Sequence, residues 1–489
     1  MQLVSIRFAL FAGLLLLLYY RVPKGRQWQL LLLAGLAFYI GTGLRYFVFL
    51  LSAAASSFAA ARYIERNRSR KIVCRGWLAA YIAVNCGMLF VCKAYLLLPD
   101  SGCFLSAGLP MGMSFYIFQS TGYVIDVSRG KDAEKSFPRY FLYISYFPQL
   151  IQGPISKYSD LQPKLMDHHP YDKKLVSFGL QRMLWGYFKK LVIADRIGVA
   201  VAALKGPEYT GFSFLLLTLF YAVQIYGDFT GGMDIVLGLS QALGIRLPEN
   251  FLHPFFSKNT AQYWRRWHIT LGGWMREYIF YPVSISKPLR KLGKAVRKRS
   301  PNFGKRLPVY IATLATWLAT GIWHGLTPNF ILWGLLNCAV IVLSEEMAPV
   351  YRNFHSRFAW KERAWYGAFE ILRTFLLMNL IRSCDLFPNT AEYFRKVGSL
   401  LSVWELSILW DGSLLALGLS RLDCGILIGG SFLMLGVSLA EKQYGSIREL
   451  LWAKPILRKI LFFALFLTIL LMGHYGVGYH ASSFIYNQF

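Results

Sequence analysis

Charge is what this chain has least of. Only 16% of its 489 residues are Asp, Glu, Lys or Arg, where soluble globular domains run near a quarter. Acids are scarcest, 25 against 53 basic residues, for a net charge of +28. That excess does not read as a nucleic-acid surface, which needs a basic face on a soluble fold; here the basic residues crowd into short loops between apolar runs. Seven cysteines are an odd number, and Cys86, Cys92 and Cys338 fall inside apolar runs without any CxxC or Cys/His cluster. Neither a disulfide framework nor a metal site is expected. No Gly/Ser or Pro-rich linker and no internal repeat interrupts the chain.

Apolar sequence is abundant. Hydrophobic residues make up 55% of the chain and aromatics 16%, with a mean hydropathy of +0.40. A helix needs about 20 apolar residues to cross the hydrocarbon layer. The candidates are Val4–Tyr20, Trp28–Ile40, Val48–Ala61, Gly76–Leu98, Phe212–Tyr226, Val309–Trp323, Phe330–Leu343, Ala364–Ile381, Gly425–Leu439 and Ile460–Met472. Lys93 lies inside one, and Glu370 and Arg373 inside another. With weaker stretches at Leu109–Val127 and Leu175–Leu204, the expectation is an all-α polytopic membrane protein of roughly 11 helices, some tilted or broken. The first run has no small-residue cleavage site after it and reads as a retained helix. The stretch Ser286–Pro308, "SKPLRKLGKAVRKRSPNFGKRLP", carries nine Lys/Arg and no acid. The positive-inside rule places such loops in the cytoplasm, against anionic lipid.

The chain reads as one membrane domain with three textures. Residues 1–105 and 346–489 are simple hydrophobic helices, while 106–345 are interrupted by Gly, Pro, Gln, Asp and Arg. Polar and glycine-rich backbone survives at membrane depth only where protein or a water-filled cavity covers it. The middle segment is therefore the expected carrier of the site.

Eight histidines narrow it further. His168 and His169 ("MDHHPYDKK") and His355 ("RNFHSRF") sit in polar sequence; His253 reads as interfacial, and His474 and His480 follow the last apolar run. None has metal-ligand spacing. His268 ("WRRWHITLGGW") and His324 ("GIWHGL") are each enclosed by aromatics and glycines. An ionisable group at membrane depth is a functional hypothesis by default. Burial disfavours the imidazolium, and a neutral imidazole is what a general base requires. The alternative is two buried histidines that support helix packing.

At these residues the sequence resembles the membrane-bound O-acyltransferase family. "WRRWHITLGGWMREYIFYP" (264–282) and "GIWHG" (321–325) carry the likeness, with "LPMGMSFYIFQSTGYVIDVSRG" (109–130), "YFPQLIQGPISKYSDL" (146–161), "QIYGDFTGGMDIVLGLSQALGIRLPENF" (224–251) and "PFFSKNTAQYWRRWH" (254–268) in the same order. It is most similar to the bacterial branch of alginate O-acetyltransferases and teichoic-acid D-alanyl transfer proteins. "RSCDLF" from Arg382 faintly resembles a later block. The resemblance implies a ring of helices with broken or re-entrant segments around a central tunnel. It implies that His324 is catalytic and His268 the family's second histidine. It also implies a cytoplasmic acyl thioester, acetyl-CoA or an acyl carrier protein, as the donor substrate, with no bound cofactor.

Expected roles follow. His324 takes the proton of an acceptor hydroxyl, a weak nucleophile until a base acts on it. The oxyanion then needs donors, for which His268, Trp264, Trp323 and Arg266 are candidates. Arg265 and Arg266 could hold donor phosphates or snorkel to the interface. Asp228 and Asp234 are expected to pair with an arginine or orient a histidine, and Asn329 to orient His324 or cap a loop. If 286–308 is cytoplasmic, Val309–Trp323 climbs roughly 22 Å at 1.5 Å per residue and carries His324 toward the outer half of the bacterial cytoplasmic membrane. The resemblance implies that the acceptor is an extracellular or cell-wall polysaccharide receiving acetyl, or a teichoic acid receiving D-alanine, with an extracytoplasmic partner enzyme completing the transfer. A transporter, whose broken helices look alike, and a non-catalytic scaffold are the competing readings.

Overall fold

The computed structural model describes residues 2–95, 109–475 and 484. The chain is all-helical, 78% helix; among the described residues only one isolated antiparallel bridge, Phe251 to Trp267, forms. Six described helices are long and apolar enough to cross a membrane: Leu44–Arg66, Lys71–Tyr95, Phe212–Ala242, Pro328–Glu346, Arg421–Tyr444 and Pro455–Met472, with shorter apolar helices at Ile6–Tyr19 and Gln27–Ile40. This is a multi-pass membrane protein. Six such helices do not establish the expected count of about 11. The expected spans Val309–Trp323 and Ala364–Ile381 lie within helices Pro301–His324 and Ala364–Arg382. In the first, Thr313, Thr316 and Thr320 turn their hydroxyls back onto the carbonyls of Val309, Ala312 and Thr316, which spares them a partner in lipid. His480 lies outside the described residues.

The fold divides into two compact units. One comprises Met1–Val192, Gly227–Glu249 and Ser446–Phe489; the other Ile193–Tyr226 and Asn250–Gly445.

In the first unit the glycines explain how charge is buried. Helix Lys173–Tyr187 runs against the second half of Phe212–Ala242. A methyl group on Gly186 would lie 2.5 Å from the Gly231 carbonyl oxygen, and one on Gly238 2.6 Å from that of Gly179. The two backbones therefore touch, the small-residue packing by which membrane helices approach closely. Beyond Tyr187 the helix widens to a π-helical turn, Phe188–Ala194, and two consecutive lysines reach carboxylates six residues apart on the facing helix. Lys190 meets Asp228 at 2.6 Å with both side chains at most 2% exposed. Lys189 meets Asp234 at 2.6 Å, and Arg182 bridges Asp234 at 2.8 Å and Glu249 at 2.6 Å. Asp228 and Asp234 thus pair with basic side chains, Asp228 with Lys190 and Asp234 with both Lys189 and Arg182. The stretch Leu175–Leu204, a weak span by sequence, is broken at this π-turn.

In the second unit, helices Pro301–His324 and Pro328–Glu346 form a tight hairpin. A methyl on Gly321 would lie 2.5 Å from the Phe330 carbonyl oxygen and one on Gly334 2.5 Å from that of Trp317. The preceding helix, Lys287–Arg297, packs on the base of the hairpin through Gly293 and Gly304, and points Lys287, Arg290, Lys291 and Lys294 outward.

Asp228→Ala removes the carboxylate from a fully buried ammonium. Breaking one side of such a pair costs about 3–5 kcal/mol, whereas replacing both sides with apolar residues of similar volume is often neutral. Thermal unfolding in detergent is expected to drop sharply for Asp228→Ala and to recover in the Lys190→Met/Asp228→Leu double variant.

Candidate active site

His324 is the last residue of helix Pro301–His324, and Gly325 leaves it in extended backbone, its N–H bonded back to the Gly321 carbonyl. The imidazole is 7% exposed. It packs edge-on against Trp323, ring centroids 4.9 Å apart, and Trp333 at 5.0 Å, and parallel to Phe330 at 6.2 Å. Gly325 has room for no side chain, because a methyl there would run into the Phe330 ring. The break between the two apolar helices is thus an aromatic cage around one histidine.

His268 reaches the same indole. Its ring centroid is 6.1 Å from that of Trp323. Backbone bonds from Leu252 N–H to the Arg266 carbonyl and from Ile269 N–H to the Asn250 carbonyl, 3.0 Å each, fold residues 250–252 onto 266–269. His268 sits at their corner with φ +49°, a left-handed conformation that costs a non-glycine residue energy and persists only where the surroundings fix it.

The Asn250 carboxamide oxygen sets the tautomer of His268. It accepts the backbone N–H of Thr270 at 3.0 Å and the Thr270 hydroxyl at 2.9 Å, so its identity as oxygen is anchored by a backbone donor. His268 Nδ1, 3.3 Å from that oxygen, is therefore the protonated nitrogen. Burial, with the Arg382 guanidinium adding to it, pushes the imidazole down to about 3. A neutral ring with Nδ1–H carries a lone pair on Nε2. His268 is thus built to accept a hydrogen bond, which removes it from the expected oxyanion donors.

The other expected residues separate. Trp264 N–H is donated to Asn337 Oδ1 at 3.2 Å, and its ring packs on Trp317 and Trp333 at 4.7 and 5.7 Å; it buttresses the cage. Arg265 is exposed, and Arg266, half-buried, donates to the Phe256 carbonyl at 3.3 Å. Trp323 alone of the proposed donors lies between the two histidine rings. Asp228 belongs to the other unit. Asn329 does not face its histidine: its amide N–H groups go to the carbonyls of Cys384, at 3.1 Å, and Phe387.

That contact exposes what sequence reasoning missed. The turn Ser383–Leu386 closes on the segment after His324, and Arg382, just before it, covers the segment that carries His268. Cys384 Sγ returns a hydrogen bond to the Asn329 carbonyl at 3.5 Å, which clasps the turn that follows His324. Arg382, 5% exposed, lays its guanidinium 4.7 Å over the ring of Trp267, the neighbour of His268. Trp267 in turn stacks on Tyr263 at 5.8 Å and Phe255 at 6.1 Å. The buried arginine of this region is Arg382, not Arg265 or Arg266. Its only sequence signal was the faint "RSCDLF" likeness. Asp385, in the same turn, is raised by burial to about 6 against the opposing pull of Arg382 and Tyr221.

With this geometry in place, the comparisons with known proteins can be set against it. Residues 128–297 match the model of MBOAT, the membrane-bound O-acyltransferase family. The chain carries a domain of that family, and the matched stretch includes His268 and stops short of His324. Among individual proteins, it is similar to the probable alginate O-acetylase AlgI of Pseudomonas syringae, 35% identical over 46% of this chain and 41% of that protein. It is also similar to the peptidoglycan O-acetyltransferase of Helicobacter pylori, 27% identical over 75% of this chain and 77% of that one. The teichoic acid D-alanyltransferase of Bacillus subtilis is 26% identical over 54% and 65%. The chain thus spans about two fifths of the length of the alginate relatives it matches.

Two outcomes follow. Asn329→Ala strips two buried carbonyls of their donor, about 1–3 kcal/mol for each group left unsatisfied; a lower melting temperature and a lower turnover number are expected together. Asp385 has its pKa raised from 3.8 to about 6 in the fold, so its contribution is full below pH 4 and is lost as pH rises through 6. Wild-type melting temperature should fall across pH 4–6 relative to Asp385→Asn, which lacks this titration.

Proposed function

We propose that this chain is an acyltransferase that moves an acyl group, acetyl by preference, from a cytoplasmic thioester to O-acylate a polysaccharide outside the membrane. The observation that carries the reading is the pair of buried histidines on one indole, at a break between two apolar helices, in a chain with an MBOAT domain. Acetyl is preferred because the O-acetylase relatives reach 35–36% identity where the D-alanyltransferases reach 25–26%. What a relative acylates is carried over here only as a class of acceptor.

In this reading His324 removes the proton from an acceptor hydroxyl as its oxygen attacks the thioester carbonyl carbon. The negative charge that develops on the carbonyl oxygen is met by an N–H donor, for which we propose Trp323, whose ring packs against both imidazoles. When the C–S bond breaks, the imidazolium returns its proton to the leaving thiolate. His268 keeps the wall of the cage uncharged and offers a lone pair to a hydroxyl hydrogen. The basic stretch 286–308 faces the cytoplasm of a bacterial inner membrane, and the donor, acetyl-CoA or an acyl carrier protein, enters from that side. An extracytoplasmic partner enzyme completes delivery to the polymer.

The test is O-acyl ester on surface polysaccharide in cells expressing wild-type or His324→Ala protein at equal membrane abundance, with the released acid identified by mass. His324→Ala is expected to lose on the order of 10²–10⁴ in rate, and acetate to be the acid released. D-alanine would move the chain to the teichoic-acid reading, and full acylation by His324→Ala would remove the general-base role.

A further inference from the structure

The first unit buries a group of uncharged polar side chains that the proposed chemistry does not use. Gln119 lies on helix Met113–Ser128, and Gln149 and Gln152 one turn apart on the short helix Phe147–Gln152. Ser156 follows in the next segment. All four are 0–4% exposed. Tyr143 ties them together: its hydroxyl donates to the backbone carbonyls of Ser156 at 2.8 Å and Gln119 at 3.4 Å, and its own carbonyl accepts Gln149 Nε2 at 3.0 Å. The Gln152 amide lies against the bare backbone of Gly232, where a methyl group would collide with it.

Both amide atoms of Gln119, both of Gln152, Oε1 of Gln149 and Oγ of Ser156 are buried without a hydrogen-bond partner among the described residues. Leaving a buried polar group unmatched costs about 1–3 kcal/mol, and native proteins keep only a few such groups per 100 residues. Here six such atoms belong to four residues, three of them tied through Tyr143, and none is on a charged side chain. Amides and hydroxyls both donate and accept; the group that matches them is one that does the same and carries no charge.

We propose that Gln119, Gln149, Gln152 and Ser156 form a binding site for hydroxyl groups, supplied by resident water or by a neutral saccharide. Buried water makes about three hydrogen bonds to such groups, and sugar hydroxyls offer the same geometry. Replacing an amide here by leucine expels that partner, whereas in a dry core the same change relieves an unmatched group.

The test is X-ray hydroxyl-radical footprinting of the full chain in nanodiscs, a readout independent of acyl transfer. Tyr143 and Tyr39 are both 0% exposed, while Tyr171 is 62% exposed. Tyr143 is expected to oxidise at a rate comparable to Tyr171, and to fall to the rate of Tyr39 in the Gln149→Leu/Gln152→Leu variant, or in Gln119→Leu if the double variant does not fold. Protection of Tyr143 by an added neutral trisaccharide assigns the site to sugar; labelling unchanged by the sugar assigns it to water. Tyr143 labelled no faster than Tyr39 in the wild type, or labelled fast and unchanged in the folded variant, overturns the proposal.

Discussion

A polar group surrounded by hydrocarbon has no solvent to fall back on, and this fold is organised by that constraint. A charged side chain inside the protein draws its partner from the protein itself. Threonines in the helix leading to His324 turn onto their own backbone, and lysines 189 and 190 each meet a carboxylate, the first sharing Asp234 with Arg182. Those ion pairs are possible only because glycines let the helices approach until their backbones touch. Glycine and charge, which look like opposite disruptions of an apolar sequence, are here two halves of one solution.

The same logic shapes the histidine cage. Aromatic rings surround His324 without offering it a competing charge, while His268 is held by a backbone corner and an asparagine oxygen that dictate which nitrogen keeps the proton. The rigidity comes from outside the two histidine segments. One short turn, Ser383–Leu386, fastens the loop after His324 through Asn329 and sits beside Arg382, which covers Trp267. Two segments far apart in the chain are therefore set by a third, and the indole of Trp323 is their shared surface.

Much of this was legible in the sequence, and the reasons for the rest are physical. Apolar runs locate the helices because burial in lipid is a local property of composition. The two enclosed histidines were also visible, since polar residues inside apolar sequence have no ordinary explanation, whereas the π-turn that breaks Leu175–Leu204 left no such mark. Partners were not legible. Asn250 lies 18 residues from His268 and Cys384 lies 55 from Asn329, and neither separation leaves a periodicity to detect. Arg265 and Arg266 drew attention by standing next to His268 in sequence, yet one points outward and the other is bound to a loop carbonyl. Adjacency along the chain is a poor guide where the backbone turns through a left-handed residue. Asn329 suggested itself as an orienter of His324 or a loop residue by its spacing, and its amide is bound to the turn behind it.

The asparagine oxygen at position 250 also has a consequence for selectivity. An imidazole that presents only a lone pair sorts approaching oxygens by whether they bring a hydrogen with them. A carboxylate or phosphate oxygen meets repulsion at that face, while an alcohol is drawn to it. Which kind of oxygen is welcome at that face is thus chosen by the rotamer of a single amide, that of Asn250.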